Sequence, residues 1–343
     1  MLDRAREVLT GEEAWVVGGA VRDELLGREL VDLDIAVRDP KRAARAYANV
    51  SGGAPFALSE RHGAWRVALD GGRTVDFTPL PGPVEDDLAT RDFTINAIAR
   101  PLAGGEPVDP FGGQEDLEAR RLRAVRESVF EDDPLRLLRA VRLEDELDVR
   151  LDEPTEALVR EHAALVSGPA GERILAELRR LSPGGYRRLD ELGLLASLDG
   201  SITDRLDRVD SPDYRLVAVF GDALRRFPIS NELRRYAVAL LRAERPERDP
   251  RSIHRFRRTT EPWALDALAF LGASELAEAV EKARRAEPAE PLLRGDELGL
   301  PAGPEIGRLL AEIAEEQAAG TIATKEEALD YARRNARAVR EDS

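Results

Sequence analysis

Val16-Val17-Gly18-Gly19-Ala20-Val21-Arg22-Asp23, followed after a short amphipathic segment by Val31-Asp32-Leu33-Asp34-Ile35-Ala36-Val37, decides the fold of this chain. The stretch reads as a strand ending in two glycines, a short helix over 20–26, and a second strand. Side chains at i and i+2 of a strand share a face. Asp32 and Asp34 therefore point one way, while Leu33, Ile35 and Val37 point into a core. Two carboxylates side by side repel each other unless a cation lies between them. Where phosphates are handled, Mg2+ meets that need, since it takes one or two carboxylates and fills its shell with substrate oxygens. Gly18 and Gly19 let backbone N–H groups approach a phosphate closely.

Residues 1–118 alternate strand and helix patterns. A helix over 2–9 precedes the first strand at 15–17, and Pro40 opens another helix through residue 47. Residues 64–69 and 73–78 flank Asp70-Gly71-Gly72, a hairpin signal. In the second of these strands Val75 and Phe77 face one side and Asp76 the other, so Asp76 can join the carboxylate face as a third acidic group. From about residue 119 strand patterns stop, and periodic apolar residues with Gly/Pro punctuation indicate helices. The expected class is α+β: a head with a small mixed or antiparallel sheet, then an all-α remainder. The expected divisions are 1–118, 119–183, 184–285 and 286–343. Near the end, Ile306, Leu309, Leu310 and Ile313 form an apolar stripe, and Thr324 to Glu327 spells a capping box.

Composition narrows the chemistry. With no cysteine among 343 residues, disulfides, thiolate catalysis and Cys-based zinc sites are excluded. His62, His162 and His254 are scattered without metal-ligand spacing. No apolar run approaches the ~20 residues of a membrane span and no signal peptide is visible, so a cytoplasmic protein with no membrane partner is expected. The net charge of −15 argues against nucleic-acid binding as a global property. Locally, residues 225–258 hold eleven arginines against four acids, and local distribution matters more than the sum.

The Gly18-Gly-Ala-Val-Arg-Asp23 string followed by Asp32-Leu-Asp34 resembles the signature of class II tRNA nucleotidyltransferases and bacterial poly(A) polymerases, within the polymerase-beta-type superfamily. The resemblance covers residues 14–182 and 290–335. It implies that Asp32 and Asp34 hold two Mg2+ ions and that Gly18, Gly19 and Arg22 meet a triphosphate. Asp87-Leu-Ala-Thr-Arg91-Asp92-Phe-Thr-Ile-Asn96 resembles a second family signature. There Arg91 contacts the nucleotide, while Asp92 and Asn96 shape the ribose pocket. Asp109-Pro-Phe-Gly-Gly113 with Asp116 matches the family's exit from the head.

Asp132-Asp133-Pro134-Leu135-Arg136 then matches a motif usually written Glu-Asp-x-x-Arg, with Asp132 in place of Glu. Asp133 suits a helix N-cap and Pro134 a first helical position. Leu137, Leu138 and Val141 cluster on one side of the helix, and Arg136, Arg139 and Arg142 fan across the other. By resemblance, Asp133 and Arg136 read the Watson–Crick edge of the incoming nucleotide, with Arg139 and Arg142 reaching the base rim or triphosphate. Cytosine and adenine both present an amino donor beside a ring-nitrogen acceptor, matched by a carboxylate and a guanidinium. In Gly171-Glu172-Arg173 to Leu178, Glu172 and Arg173 are expected to brace the neck helices by ion pairing.

The resemblance implies an enzyme adding C, as CC or CCA, to tRNA from CTP and ATP, with the 119–183 neck selecting nucleotides and a 286–343 tail binding tRNA. A poly(A) polymerase and a non-catalytic RNA-binding module are the other readings. Family members that add all of CCA usually carry a mobile loop between the strand of the third acidic residue and the Arg-Asp-Phe-Thr signature. Here fourteen residues, 77–90, span that interval, with prolines at 79, 81 and 83. Proline restricts backbone freedom. This departure points to addition stopping at CC with a separate A-adding enzyme acting next; full CCA addition stands as the alternative.

Overall fold

The computed structural model describes residues 1–59, 63–288 and 290–336. His62 lies outside the described residues. The described chain divides into two compact units, 1–199 and 200–343. The boundaries expected after residues 118 and 183 fall inside the first unit.

The first unit opens with α1 (Leu2–Val8), β1 (Ala14–Val17), α2 (Gly19–Leu25), β2 (Asp32–Val37), α3 (Pro40–Ser51), β3 (Ala54–Ser59), β4 (Ala64–Ala68), β5 (Thr74–Pro79), α4 (Val84–Leu88), β6 (Ala99–Pro101) and α5 (Gly113–Glu118). The sheet order is β3-β4-β5-β2-β1-β6. It is mixed: β2 and β5 run parallel, and the other neighbours run antiparallel. The β4–β5 hairpin turns at Asp70–Gly72, where Gly71 and Gly72 hold φ of +73° and +74°, a region costly for residues with a Cβ. The alternation read from β2 holds. Leu33, Ile35 and Val37 are buried under α1 and α3 with Tyr47, Val75 and Phe77. Ala36, Val17, Val84 and Leu88 form a second cluster. α3 starts where Pro40 indicated, with Asp39 as N-cap accepting from the Arg42 N–H.

The first unit continues with β7 (Arg121–Leu122), α6 (Val129–Asp132), α7 (Arg136–Leu147), β8 (Arg150–Leu151), α8 (Glu153–Glu161), α9 (Gly171–Leu178), α10 (Pro183–Glu191) and α11 (Leu194–Ser197). The stretch 119–183, expected to be all-α, is therefore not purely helical: β7 and β8 form a two-residue parallel pairing. Two residues are too few for alternation to register in a sequence pattern. α10 belongs to this unit because it packs on α7 and α9. Tyr186 is fully buried with its hydroxyl donating to Leu178 O at 3.0 Å, and Arg188 bonds Glu144 at 2.8 Å.

The second unit holds α12 (Pro212–Phe220), α13 (Asn231–Leu241), α14 (Pro250–Thr260), α15 (Ala264–Leu271), α16 (Ala277–Ala286), α17 (Pro304–Ala318) and α18 (Lys325–Asn335). Leu309 and Ile313 of the expected stripe are buried, and the capping box at Thr324 and Glu327 is formed. The arginine-rich segment splits into two groups. Arg251 pairs with Glu316, Arg255 with Glu315, and Arg257 with Glu261 and Glu287. Arg234, Arg235 and Arg242 lie exposed along one face of α13 and its C-cap, without an ion pair among the described residues. No helix among the described residues is long and apolar enough to cross a membrane.

Candidate active site

The β1 strand ends at Gly18, whose φ of +67° turns the chain sharply into α2. A Cβ there would come within 3.3 Å of Arg91 Nη1 and 3.7 Å of Asp34 Oδ2. The glycine thus allows the turn and leaves room for these two side chains. On α2, Arg22 is held on both sides. Its Nε and Nη2 donate to Asp23 at 2.9 and 3.0 Å, and its Nη1 donates to Asn96 Oδ1 at 2.6 Å.

Asp32 and Asp34 share the face that alternation assigned to them, with Asp32 exposed and Asp34 half-buried. Thr74 Oγ1 donates to Asp32 Oδ1 at 2.6 Å. Asp76 lies level with Asp34 across the parallel β2–β5 pair. Both Asp76 oxygens, however, accept from Arg66 at 2.7 Å. Nothing in the residue order marks Arg66, because only the β4–β5 register brings it opposite Asp76. Among the described residues no group of three or more acidic or histidine side chains is gathered as a metal cluster. The candidate ligand set is the Asp32–Asp34 pair, with Asp76 adjacent and already neutralised. Burial, then the neighbouring Asp76, raises the Asp34 carboxyl to about 6, against the opposing pull of Arg91. A desolvated carboxylate crowded by others is stabilised by a cation, so these residues fit Mg2+.

Asp92 is buried. Its oxygens accept from the Phe93 N–H and Asn96 Nδ2, both at 2.9 Å, and from Arg139 Nε at 2.8 Å. Burial pushes this carboxyl up, but Arg139 and the hydrogen bonds outweigh it and hold it below the usual range. Arg139 is therefore joined to the expected ribose-pocket residue.

α7 does not start as its sequence suggested. Its first residue is Arg136, and Asp133 is the C-cap of α6 rather than the N-cap of α7. Asp133 Oδ1 accepts from the Leu135 N–H at 3.2 Å, spending the cap interaction on the intervening turn. Asp133 also takes Arg173 Nη2 at 2.8 Å, the bracing ion pair expected of Arg173, while Glu172 stands exposed. Arg136 donates to Thr90 O at 2.8 Å and Val129 O at 3.4 Å. Asp132 is turned away, with Oδ2 held by Arg126 at 2.7 Å.

The helix-face reading of Arg142 is also corrected. At 5% exposure it is buried with the apolar face rather than fanned into solvent. Its Nε lies 2.7 Å from Glu177 Oε2, off line for a hydrogen bond, so the attraction there is ionic. Glu177 of α9, 9% exposed, also lies 3.9 Å from Arg139. A carboxylate on a neighbouring helix draws in an arginine that periodicity alone assigned outward.

A cavity of about 880 Å³ collects Gly18, Gly19, Arg22, Asp32, Asp34, Arg91, Asp92, Asn96, Asp133, Arg136, Arg139 and Arg142 along one surface. Asp76 lies outside that lining. Arg173 and Arg180 line it as well, and six of its seven arginines are paired with a carboxylate. Arg136 is the exception among the described residues, bonded only to the two backbone carbonyls.

Carboxylates on a mixed sheet, a glycine turn beside them, and a facing segment that presents Asp133 and Arg136 define a nucleotidyltransferase head. The Poly A polymerase head domain family matches residues 14–80 and 71–123. The CC-adding tRNA nucleotidyltransferase of Thermus thermophilus is 33% identical, over 93% of this chain and 93% of that protein. The A-adding tRNA nucleotidyltransferase of Deinococcus radiodurans is 48% identical, over 53% of this chain and 44% of that protein. Among solved structures, the Bacillus stearothermophilus CCA-adding enzyme in complex with CTP superposes with a TM-score of 0.76 at 25% identity, covering 97% of each chain. The chain belongs to the class II tRNA nucleotidyltransferase family.

Proposed function

We propose that this protein adds two cytidines to the 3′ end of tRNA from CTP, without a nucleic-acid template, and leaves the terminal A to a separate A-adding enzyme. The observation that carries nucleotide transfer is the single cavity joining the Asp32–Asp34 pair to Asp133 and Arg136. The stop after CC is supported by the proline-rich 79–83 connector and by the name of the Thermus relative that matches along its length.

Bound Mg2+, held by Asp32 and Asp34, would supply activation of the RNA 3′ hydroxyl and charge neutralisation on the departing pyrophosphate. The chain's own groups do the positioning. Gly18 and Gly19 leave space for the triphosphate, and Arg22 and Arg91 meet its charge. Asp92 and Asn96, bonded to each other at 2.9 Å, form the ribose wall. Arg136, the cavity's one arginine without a carboxylate partner among the described residues, donates to the ring nitrogen of the base. Asp133 keeps acceptor capacity beyond its bond to Arg173 and takes the exocyclic amino group. Uracil sets a carbonyl against that carboxylate, at a cost of about 1–3 kcal/mol or more in a dry site.

Head, neck, body and tail over 1–118, 119–183, 184–285 and 286–343 remain our functional division, with body and tail holding tRNA. The exposed arginines of α13 and its C-cap, Arg234, Arg235 and Arg242, suit its phosphates. The protein would act on tRNA in the cytoplasm.

The test uses purified protein and tRNA transcripts ending before, within and after CC, with each NTP singly and all four together. Two C residues followed by a stall in the presence of ATP is the expected result. Efficient addition of A would replace this reading with CCA or A addition, and homopolymeric A with poly(A) synthesis. No incorporation would leave a binding module.

A further inference from the structure

We infer that Asp87 is a positioning residue for Arg91, dividing that guanidinium so that one edge is anchored and the other is presented to the triphosphate. The inference rests on the nucleotide-binding reading of the cavity. Arg91 Nε and Nη2 both donate to Asp87 Oδ2, at 3.1 and 2.6 Å. The remaining nitrogen, Nη1, is the atom nearest a Cβ built on Gly18, a position that Asp34 Oδ2 also borders. A guanidinium is planar with five donors in a fixed fork. Anchoring its Nε–Nη2 edge therefore fixes where its Nη1 points.

The alternative available to Arg91 is Asp34. That carboxylate is desolvated, crowded by Asp76 and Asp32, and already attracted to Arg91. Without Asp87, the guanidinium is free to swing toward Asp34 and away from the phosphate corner. Asp87 outcompetes this contact with an i,i+4 pair in which both side chains are largely shielded, 25% and 22% exposed.

Asp87 is also distinguished from its neighbours. Glu85, Asp86 and Asp87 stand consecutively on α4, an arrangement with unfavourable like-charge proximity. Glu85 and Asp86 are exposed, whereas Asp87 is half-buried and lines the cavity. The helix end does not need its carboxylate. The local turn bonds use the Asp87 carbonyl, which accepts from the Thr90 N–H and hydroxyl and survives side-chain replacement. The same turn anchors the neck, since Ala89 O accepts from Arg126 and Thr90 O from Arg136. Asp87 thus places Arg91 in register with the helix that carries Arg136.

The experiment compares wild type, Asp87→Ala, Asp87→Glu, Arg91→Ala and the double Asp87→Ala/Arg91→Ala. It measures CTP binding by calorimetry and steady-state addition to tRNA lacking CCA. Asp87→Ala is expected to weaken CTP binding and raise its KM about tenfold, with kcat within about threefold and the KM for tRNA unchanged. Asp87→Glu restores most of the affinity, and the double variant is no worse than Arg91→Ala. Unchanged CTP affinity in a folded Asp87→Ala protein, or additive losses in the double variant, overturns the inference. If wild type binds CTP but transfers nothing, the transfer reading fails while the binding arm still decides this one.

Discussion

Replacing Glu177 with Ala is the sharpest test of how α9 is held to α7. Glu177 and Arg142 lie 2.7 Å apart, with side-chain exposures of 12% and 7%. At that exposure water replaces a lost partner only in part. Removing one member of a buried pair costs about 3–5 kcal/mol, since the other charge is stranded. Two features place this variant at the low end of that range. Arg142 retains Glu146 at 3.4 Å, and Arg139 retains Asp92 at 2.7 Å. The expectation is about 3 kcal/mol, which for a unit near 200 residues lowers the melting temperature by roughly 6–12 °C. Calorimetry or circular dichroism on the full chain measures it. A companion variant, Glu177→Ala/Arg142→Met, removes the stranded charge and fills its space, and should recover more than half of the loss. A single-variant loss under about 1 kcal/mol, or a double variant no more stable than the single, refutes the buried-pair account.

Two further outcomes follow from the site. Asp34→Asn should stabilise the metal-free protein at pH 8, by up to about 3 kcal/mol, because the folded state raises this carboxyl from 3.8 to about 6. The sign is that of a raised acid: the wild-type advantage is full below pH ~4 and lost as pH rises through ~6, so denaturant midpoints of wild type and variant in chelator should diverge across that window. Equal midpoints at pH 8 would remove the crowded-carboxylate argument. The charge swap Asp133→Arg/Arg136→Asp should shift nucleotide choice toward UTP or GTP, read by single-nucleotide incorporation alongside a folding check. A folded swap variant that still uses only CTP and ATP would show that these residues do not select the base.

The local parts of this molecule were legible from residue order alone. Alternation along 31–37 placed Asp32 and Asp34 on one face and Leu33, Ile35 and Val37 in the core, because a strand's side-chain period of two allows no other arrangement. The Asp-Gly-Gly hairpin, the Pro40 helix start and the Thr324–Glu327 capping box were likewise local chemistry, and each is formed. Sequence alone left undecided which elements meet across distance. β2 lies beside β5 rather than between β1 and β3, so Asp34 faces Asp76, and β4 brings Arg66 to neutralise it. The inward position of Arg142 depends on Glu177, thirty-five positions along the chain, and Asp133, expected as a helix cap, pairs with Arg173, forty positions along. Periodicity reports which face of an element is apolar. It carries no information about an oppositely charged side chain arriving from another element, and in a dry interior that partner decides whether a charged residue turns in or out.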